Sequence, residues 1–183
     1  MLQVLTGTAK GKRLKVPRGN VVRPPTSRIK KSIFDTLGDI SGFKVLDIFA
    51  GSGSLGIESL SRDALHVTFI EKNPLVYKAL RGNISLCGFN DRATLVPYHY
   101  EAALKKLQKR GERFNLIFID PPYILYGKQL VDDFINRASE MLEDGGVIVI
   151  EHNYKIENTP AGFLRITKPF GGTHVSFFRR GGK

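Results

Sequence analysis

From residue 44 onward, short continuous apolar runs alternate with longer amphipathic stretches. Runs at 44–49 (KVLDIF), 66–71 (HVTFIE), 93–96 (ATLV), 115–120 (NLIFID), 146–151 (GVIVIE) and 174–179 (HVSFFR) predict strands, with a weaker one at 163–167. Stretches at 54–62, 74–86, 100–110 and 128–142 predict helices. Continuous apolar strands separated by helices describe a parallel sheet covered on both faces. The last two strands lie too close together for an intervening helix, so they form a hairpin and leave one strand antiparallel. The expected fold is α/β, with a seven-stranded, mostly parallel sheet and helices on both faces.

The segment before this repeat is different. Residues 2–5 and 12–16 read as short strands joined by turn signals at Gly7 and Gly11, which predicts a β-hairpin over 1–17. PPTSRIKKSIFDTLGD then predicts a helix capped by Thr26 or Ser27 and stopped at Gly38. Ile29, Ile33, Phe34 and Leu37 share one face of it, and Arg28, Lys30 and Lys31 fall elsewhere. No repeat or low-complexity linker divides the chain. One domain over 1–183 is expected, with 1–22 as a basic N-terminal hairpin extension and 23–183 as the core.

Charge sharpens the picture. The net charge is +11, and residues 1–31 hold nine basic residues and no acid; the first acid is Asp35. The remainder, with 19 basic and 17 acidic residues, is nearly balanced. Such a clustered patch draws a polyanion through its long-range field and counterion release, which favours nucleic acid over a merely solubilising face. No apolar run reaches the length of a membrane span, and the first residues lack a signal peptide's apolar stretch. The single cysteine, Cys87, excludes an internal disulfide framework and reads as a small core residue at a helix end. A cytoplasmic protein is expected. The four histidines, at 66, 99, 152 and 174, show no metal-binding spacing, so no metal is expected.

The candidate chemistry begins in DIFAGSGSLG at 47–56. Gly51, Gly53 and Gly56 fit G-x-G-x-x-G after a predicted strand and before a predicted helix, the context that gives the pattern meaning. Phe49 and Ser52 lie in the same turn. Glu71 ends the next strand, where a ribose-binding acid belongs, followed by Lys72 and Asn73. A nicotinamide dinucleotide and S-adenosyl-L-methionine both suit such a loop. Asp47 separates them: it would repel a pyrophosphate, whereas an acid there balances the ammonium of a methionine moiety. Asp47 either meets that ammonium, directly or through water, or holds the loop by hydrogen bonds. The stretch after the third strand carries no acid for the adenine, which leaves backbone groups or His99; a surface role for His99 is equally open.

FIDPPY at 118–123 completes the set. Four apolar residues run into Asp120, two prolines and Tyr123. In a sheet whose first and fourth strands are neighbours, Asp120 faces the crevice at the switch point. Pro121 and Pro122 stiffen the loop. An exocyclic amine can donate to the Asp120 carboxylate and the Pro121 carbonyl while Tyr123 stacks on its ring. Those bonds turn the nitrogen lone pair toward a methyl and stabilise the charge that develops on it. A base in a stack would have to flip out to reach the loop.

This combination resembles the class I methyltransferases with an (N/D)PP(Y/F) motif, which modify exocyclic amines of bases on a Rossmann-like fold. The resemblance narrows to one family, the RsmD enzymes, which methylate guanine N2 in 16S ribosomal RNA of the small ribosomal subunit. It rests on GKRLKVP at 11–17, RPPTSRIKKSIFDTL at 23–37, VLDIFAGSGSLGIESLSRDA at 45–64, FIEKN at 69–73, IDPPY at 119–123 and FGGTHVSFFRR at 170–180. The glycine and DPPY motifs alone say only amino methyltransferase; the RPPTSR segment and the FGGTH ending carry the family. His99 stands where the family often has Asp or Asn, and Lys31 and Gly172 stand where it often has acids. The resemblance implies adenosylmethionine as cofactor and an assembled or assembling subunit as substrate; the enzyme is expected to act as a monomer. Arg23, Thr26 and Arg28 match the leading motif and would meet the methionine carboxylate or an RNA phosphate. Lys12 and Arg13 would grip RNA, and Tyr126 would flank the target base. Three rivals remain: an adenine-N6 or other amino methyltransferase acting on DNA or another RNA, a nicotinamide dehydrogenase, and a non-catalytic RNA-binding module.

Overall fold

A computed structural model describes residues 2–17, 26–121, 128–153, 156 and 159–181. The first helix, α1 (Ser27–Leu37), starts where the Thr26 hydroxyl accepts from the Ile29 N–H and ends at Gly38, which closes back on the Phe34 carbonyl. Then follow β1 (Lys44–Ile48), α2 (Ser54–Ser61), β2 (His66–Ile70), α3 (Pro74–Cys87), β3 (Ala93–Val96), α4 (Tyr100–Lys109), β4 (Phe114–Ile119), α5 (Lys128–Ser139), β5 (Leu142–His152), β6 (Phe163–Phe170) and β7 (Thr173–Arg180). A single 3-10 turn, Asn90–Arg92, leads into β3.

The seven strands form one sheet in the order β3-β2-β1-β4-β5-β7-β6, with β7 antiparallel to both neighbours. The chain direction across the sheet reverses between β1 and β4, where Ile48 pairs with Ile119. Alternate strand residues feed two cores. Val45, Phe69, Phe118 and Val149 join apolar residues of α1, α2 and α3. Leu46, Ile48, Ile119 and Ile150 join those of α4 and α5. This is why the central strands read as continuous apolar runs: β1, β2, β4 and β5 are buried on both faces, whereas the edge strands β3 and β6 are not.

The N-terminal segment forms a short version of the expected hairpin: Gln3 bridges Arg13 antiparallel, the Val4 and Leu14 N–H groups donate to the Lys12 and Leu2 carbonyls at 3.0 and 2.9 Å, and the Gly11 N–H donates to the Val4 carbonyl at 2.9 Å. The backbone of its turn goes to α2. The Leu5 and Thr6 N–H groups donate to the Glu58 carboxylate at 2.7 and 3.0 Å, and the Thr8 and Ala9 N–H groups donate to the Ser61 carbonyl and hydroxyl. Lys30 is not on a solvated face. It is fully buried, ion-paired with Glu58 at 3.1 Å, and donates to the Gln3 carbonyl at 2.6 Å. Lastly, α5 stops at Ser139 rather than 142. Arg180 donates to the Ser139 and Leu142 carbonyls, and the Met141 carbonyl turns to the Phe114 N–H, so the chain is already entering β5.

Candidate active site

The carboxyl end of β1 makes a tight turn into α2. Phe49 takes a left-handed φ of 66°, held there by ring contacts to Tyr100 at 5.1 Å and Phe134 at 5.4 Å. A non-glycine residue in that region costs roughly 1–3 kcal/mol and persists only where its surroundings impose it. The Phe49 side chain thus packs between α4 and α5, and its backbone shapes the loop. Gly53, with φ 88°, caps α2, and its N–H closes on the Ala50 carbonyl at 2.8 Å.

Two of the three glycines serve packing. A Cβ on Gly56 would sit 2.2 Å from the Phe69 ring and 3.0 Å from Asp47 Oδ2; one on Gly53 would sit 2.6 Å from the Leu80 side chain. The helix can therefore approach the sheet closely enough for the buried Asp47 carboxylate to accept from the Gly56 N–H at 3.0 Å. Of the two roles open to Asp47, this is the loop-holding one. Glu71 holds the loop from the other side: Oε2 accepts from the Gly51 N–H at 3.1 Å and Oε1 from the Asn73 N–H at 2.7 Å. Asn73 in turn caps α3 through the Leu75 and Val76 N–H groups. A carboxylate has about four acceptor sites, so Glu71 can still take a ligand hydroxyl.

Asp120 follows β4 at the reversal point, half-buried, and Pro121 beside it is buried. Glu151, one residue before the end of β5, lies next door, since Ile119 pairs with Ile150. Four adjacent strands, β2, β1, β4 and β5, thus end in or next to an acid: Glu71, Asp47, Asp120 and Glu151. Burial pushes the Asp47 carboxyl up from 3.8 to about 7; the Gly56 N–H pulls the other way and the Glu71 charge adds to the rise. Asp120 is raised well above the usual range, first by burial and then by the Glu151 and Asp47 charges. Burial raises Glu71 against the Asn73 and Gly51 N–H groups, and raises Glu151. Carboxyls raised in this way ionise beside a cation and are pushed further up by a phosphate, so the rim favours a cation.

The described residues also test the loop for a ligand. Ser52 and Ser54 are 1% and 3% exposed, yet neither hydroxyl has a hydrogen-bond partner among the described residues. Unsatisfied buried hydroxyls beside a turn are groups that a polar ligand would complete. The acids supply the charge and the serines the hydrogen bonds that the methionine end of adenosylmethionine needs.

Asp47, Gly51, Ser52, Gly53, Gly56, Glu71, Asn73, Asp120 and Pro121 gather at one edge of the sheet. Lys72 is exposed beside them. His99 is exposed just before α4, its ring tilted against that of Tyr100 at 4.6 Å and 3.6 Å from Glu101. Thr26 is occupied as the α1 cap, and Arg28 is exposed. Arg13 is exposed, and Lys12 donates to the Leu86 carbonyl at 2.7 Å. Pro122, Tyr123, Tyr126 and Arg23 lie outside the described residues. Sequence reading missed Glu151 as a site residue, although it ends GVIVIE as Glu71 ends HVTFIE. Among the described residues no cluster of His, Cys, Asp or Glu could hold a metal, and no helix is long and apolar enough to cross a membrane.

Comparisons with known proteins agree with this geometry. The chain is 34% identical over 185 residues to the Bacillus subtilis protein named "Putative rRNA methyltransferase YlbH", covering 99% of this chain and 100% of that one. It is 31% identical to the Ribosomal RNA small subunit methyltransferase D of Escherichia coli K12, over 86% of this chain and 74% of that one. A solved structure titled "Putative methyltransferase yhhF from Escherichia coli" superposes with a TM-score of 0.85 at 29% identity, covering 99% and 98% of the two chains. The sequence model of the family described as Conserved hypothetical protein 95 matches residues 2–179, and the chain belongs to that family, the RsmD family to which its motifs pointed.

Proposed function

We propose that this protein places a methyl group from adenosylmethionine on the exocyclic N2 of a guanine in small-subunit ribosomal RNA. The observation that carries the reading is the row of acids at the ends of four adjacent strands, wrapped around a glycine turn with two unsatisfied serine hydroxyls. A dinucleotide's pyrophosphate would meet that row as a like charge; a sulfonium and an ammonium meet it as counterions. The relatives' names supply the acceptor class.

Bound adenosylmethionine supplies an electrophilic methyl. The chain supplies position and charge. Asp47 and the glycine turn hold the amino-acid end, and Glu71 takes the ribose hydroxyls. Asp120 and the Pro121 carbonyl accept from the guanine amine, which aims its lone pair into the crevice. A raised Asp120 suits this work: even uncharged, its carbonyl oxygen still accepts an N–H. The amine proton leaves to water. Tyr123 stacks on the flipped base, and Lys12, Arg13, Arg23 and Arg28 bear on phosphates. An assembled or assembling subunit in the cytoplasm is the substrate, and the protein works as a monomer.

The test is transfer of labelled methyl by wild type and Asp120→Ala to unmodified small subunits, naked 16S RNA and DNA, with the product nucleoside identified. N2-methylguanosine from subunits, lost in the variant, is expected. Methyladenine in DNA would keep the Asp120 chemistry and overturn the acceptor. No transfer and no cofactor binding would leave a basic binding module.

A further inference from the structure

Asn83 lies on α3 between two regions that the reaction must bring together. Its side chain is fully buried on a helix face that otherwise carries Val76, Leu80, Ile84 and Cys87. Three hydrogen bonds account for this polar group in an apolar setting. Its Oδ1 accepts from the Lys15 N–H at 2.8 Å, and its Nδ2 donates to the Lys15 carbonyl and to the Ser52 carbonyl, both at 2.9 Å. One amide therefore clamps the main chain of the basic N-terminal segment and the main chain of the glycine turn.

At the turn, the neighbouring Gly51 N–H is fixed by Glu71, while the Ser52 hydroxyl has no partner among the described residues. On the other side, residues 12–15 lie against α3 through Lys12 on the Leu86 carbonyl, the buried Leu14 and Asn83. The segment is seated by its own cross-strand bonds and by α2, so the arrangement of Lys12 and Arg13 is tied through Asn83 to the Ser52 carbonyl.

We propose that Asn83 is a positioning residue that couples the two binding surfaces: polyanion bound by Lys12 and Arg13 and adenosylmethionine bound at the glycine turn each favour the docked segment, so each tightens the other. The coupling rests on the cofactor reading given above. Linkage makes it reciprocal, the same factor acting on both ligands. An enzyme built this way holds its methyl donor best when RNA is already in place.

Calorimetry with S-adenosylhomocysteine, the unreactive product, tests it on the full chain, with and without saturating 16S RNA. RNA is expected to lower the wild-type Kd by about fivefold or more. Asn83→Asp keeps the acceptor for Lys15 but loses both donated bonds; it is expected to bind S-adenosylhomocysteine roughly fivefold more weakly and to abolish the RNA effect. A second pair of variants leaves the buried helix face untouched. Lys15→Pro removes the N–H that Asn83 accepts, while Lys15→Ala removes the same charge and keeps the N–H. Lys15→Pro is expected to bind S-adenosylhomocysteine more weakly than Lys15→Ala and to show less coupling. Equal affinities for that pair, or a wild-type Kd indifferent to RNA, would overturn the proposal and leave the cofactor reading intact. No binding by the wild type would sink both.

Discussion

Replacing Asp47 by Asn should make the ligand-free protein progressively more stable than wild type as pH rises. Asp47 is 2% exposed, and its carboxyl is raised from 3.8 to about 7. Between those values the folded state holds a proton on Asp47 that the unfolded chain has released. Stability therefore falls as pH climbs through that window, and no further once the folded group has ionised. Each pH unit inside it costs about 1.4 kcal/mol. From pH 5 to pH 7, where the slope tails off as the folded group begins to ionise, the wild type should thus lose roughly 2 kcal/mol relative to Asp47→Asn. Asn keeps an oxygen for the Gly56 N–H, so the comparison isolates the charge. Urea denaturation of both proteins at half-unit pH steps gives the two curves. The slope of their difference is the readout, because any fixed offset from the new amide cancels. Parallel curves would mean that Asp47 is already ionised in the fold, and the claim that burial holds its carboxyl protonated would fail.

The same carboxyl should ionise when an ammonium settles beside it, so cofactor binding at pH 6 should release a proton; binding heats that do not change with the buffer's ionisation enthalpy would refute this. Gly56→Ala should destabilise by about 1–3 kcal/mol in urea, since its Cβ meets the Phe69 ring, whose neighbours are all buried. Glu58→Gln should cost about 3–5 kcal/mol, because it strands the buried Lys30 ammonium, which burial already drives below its usual range. Gly7→Ala would place a Cβ 1.6 Å from the Ser61 carbonyl oxygen, so the segment should lift off α2 and tryptic cleavage at Lys10 and Lys12 should quicken; an unchanged digestion pattern would show that the segment is not seated as described.

What could be read from sequence was what repeats or ends locally. Strands buried on both faces announce themselves by apolar runs, and Thr26, Gly38 and Gly88 end helices by rules that need only neighbours. Acids closing apolar runs marked Asp47, Glu71 and Asp120 for the same reason. What escaped was set by distant partners. Lys30 looked like one more surface charge, because Glu58, which neutralises it, lies on another helix. The N-terminal hairpin was legible in its turn glycines, but its seat on α2, at Glu58 and Ser61, is invisible to a local pattern. Asn83 left one sign: an amide in step with Leu80, Ile84 and Cys87 on an apolar helix face.

The N-terminal segment's anchors also fix an order of events at the ribosome. That segment leaves the exit tunnel well before its anchors, which lie 53 residues on at Glu58, 55 at Ser61 and 68 at Asn83. Until those residues emerge it has no helix to seat on, and closing contacts so far apart in sequence is slow. The most basic stretch of the nascent chain is thus fixed in place late, close to the ribosomal RNA of the particle that is making it.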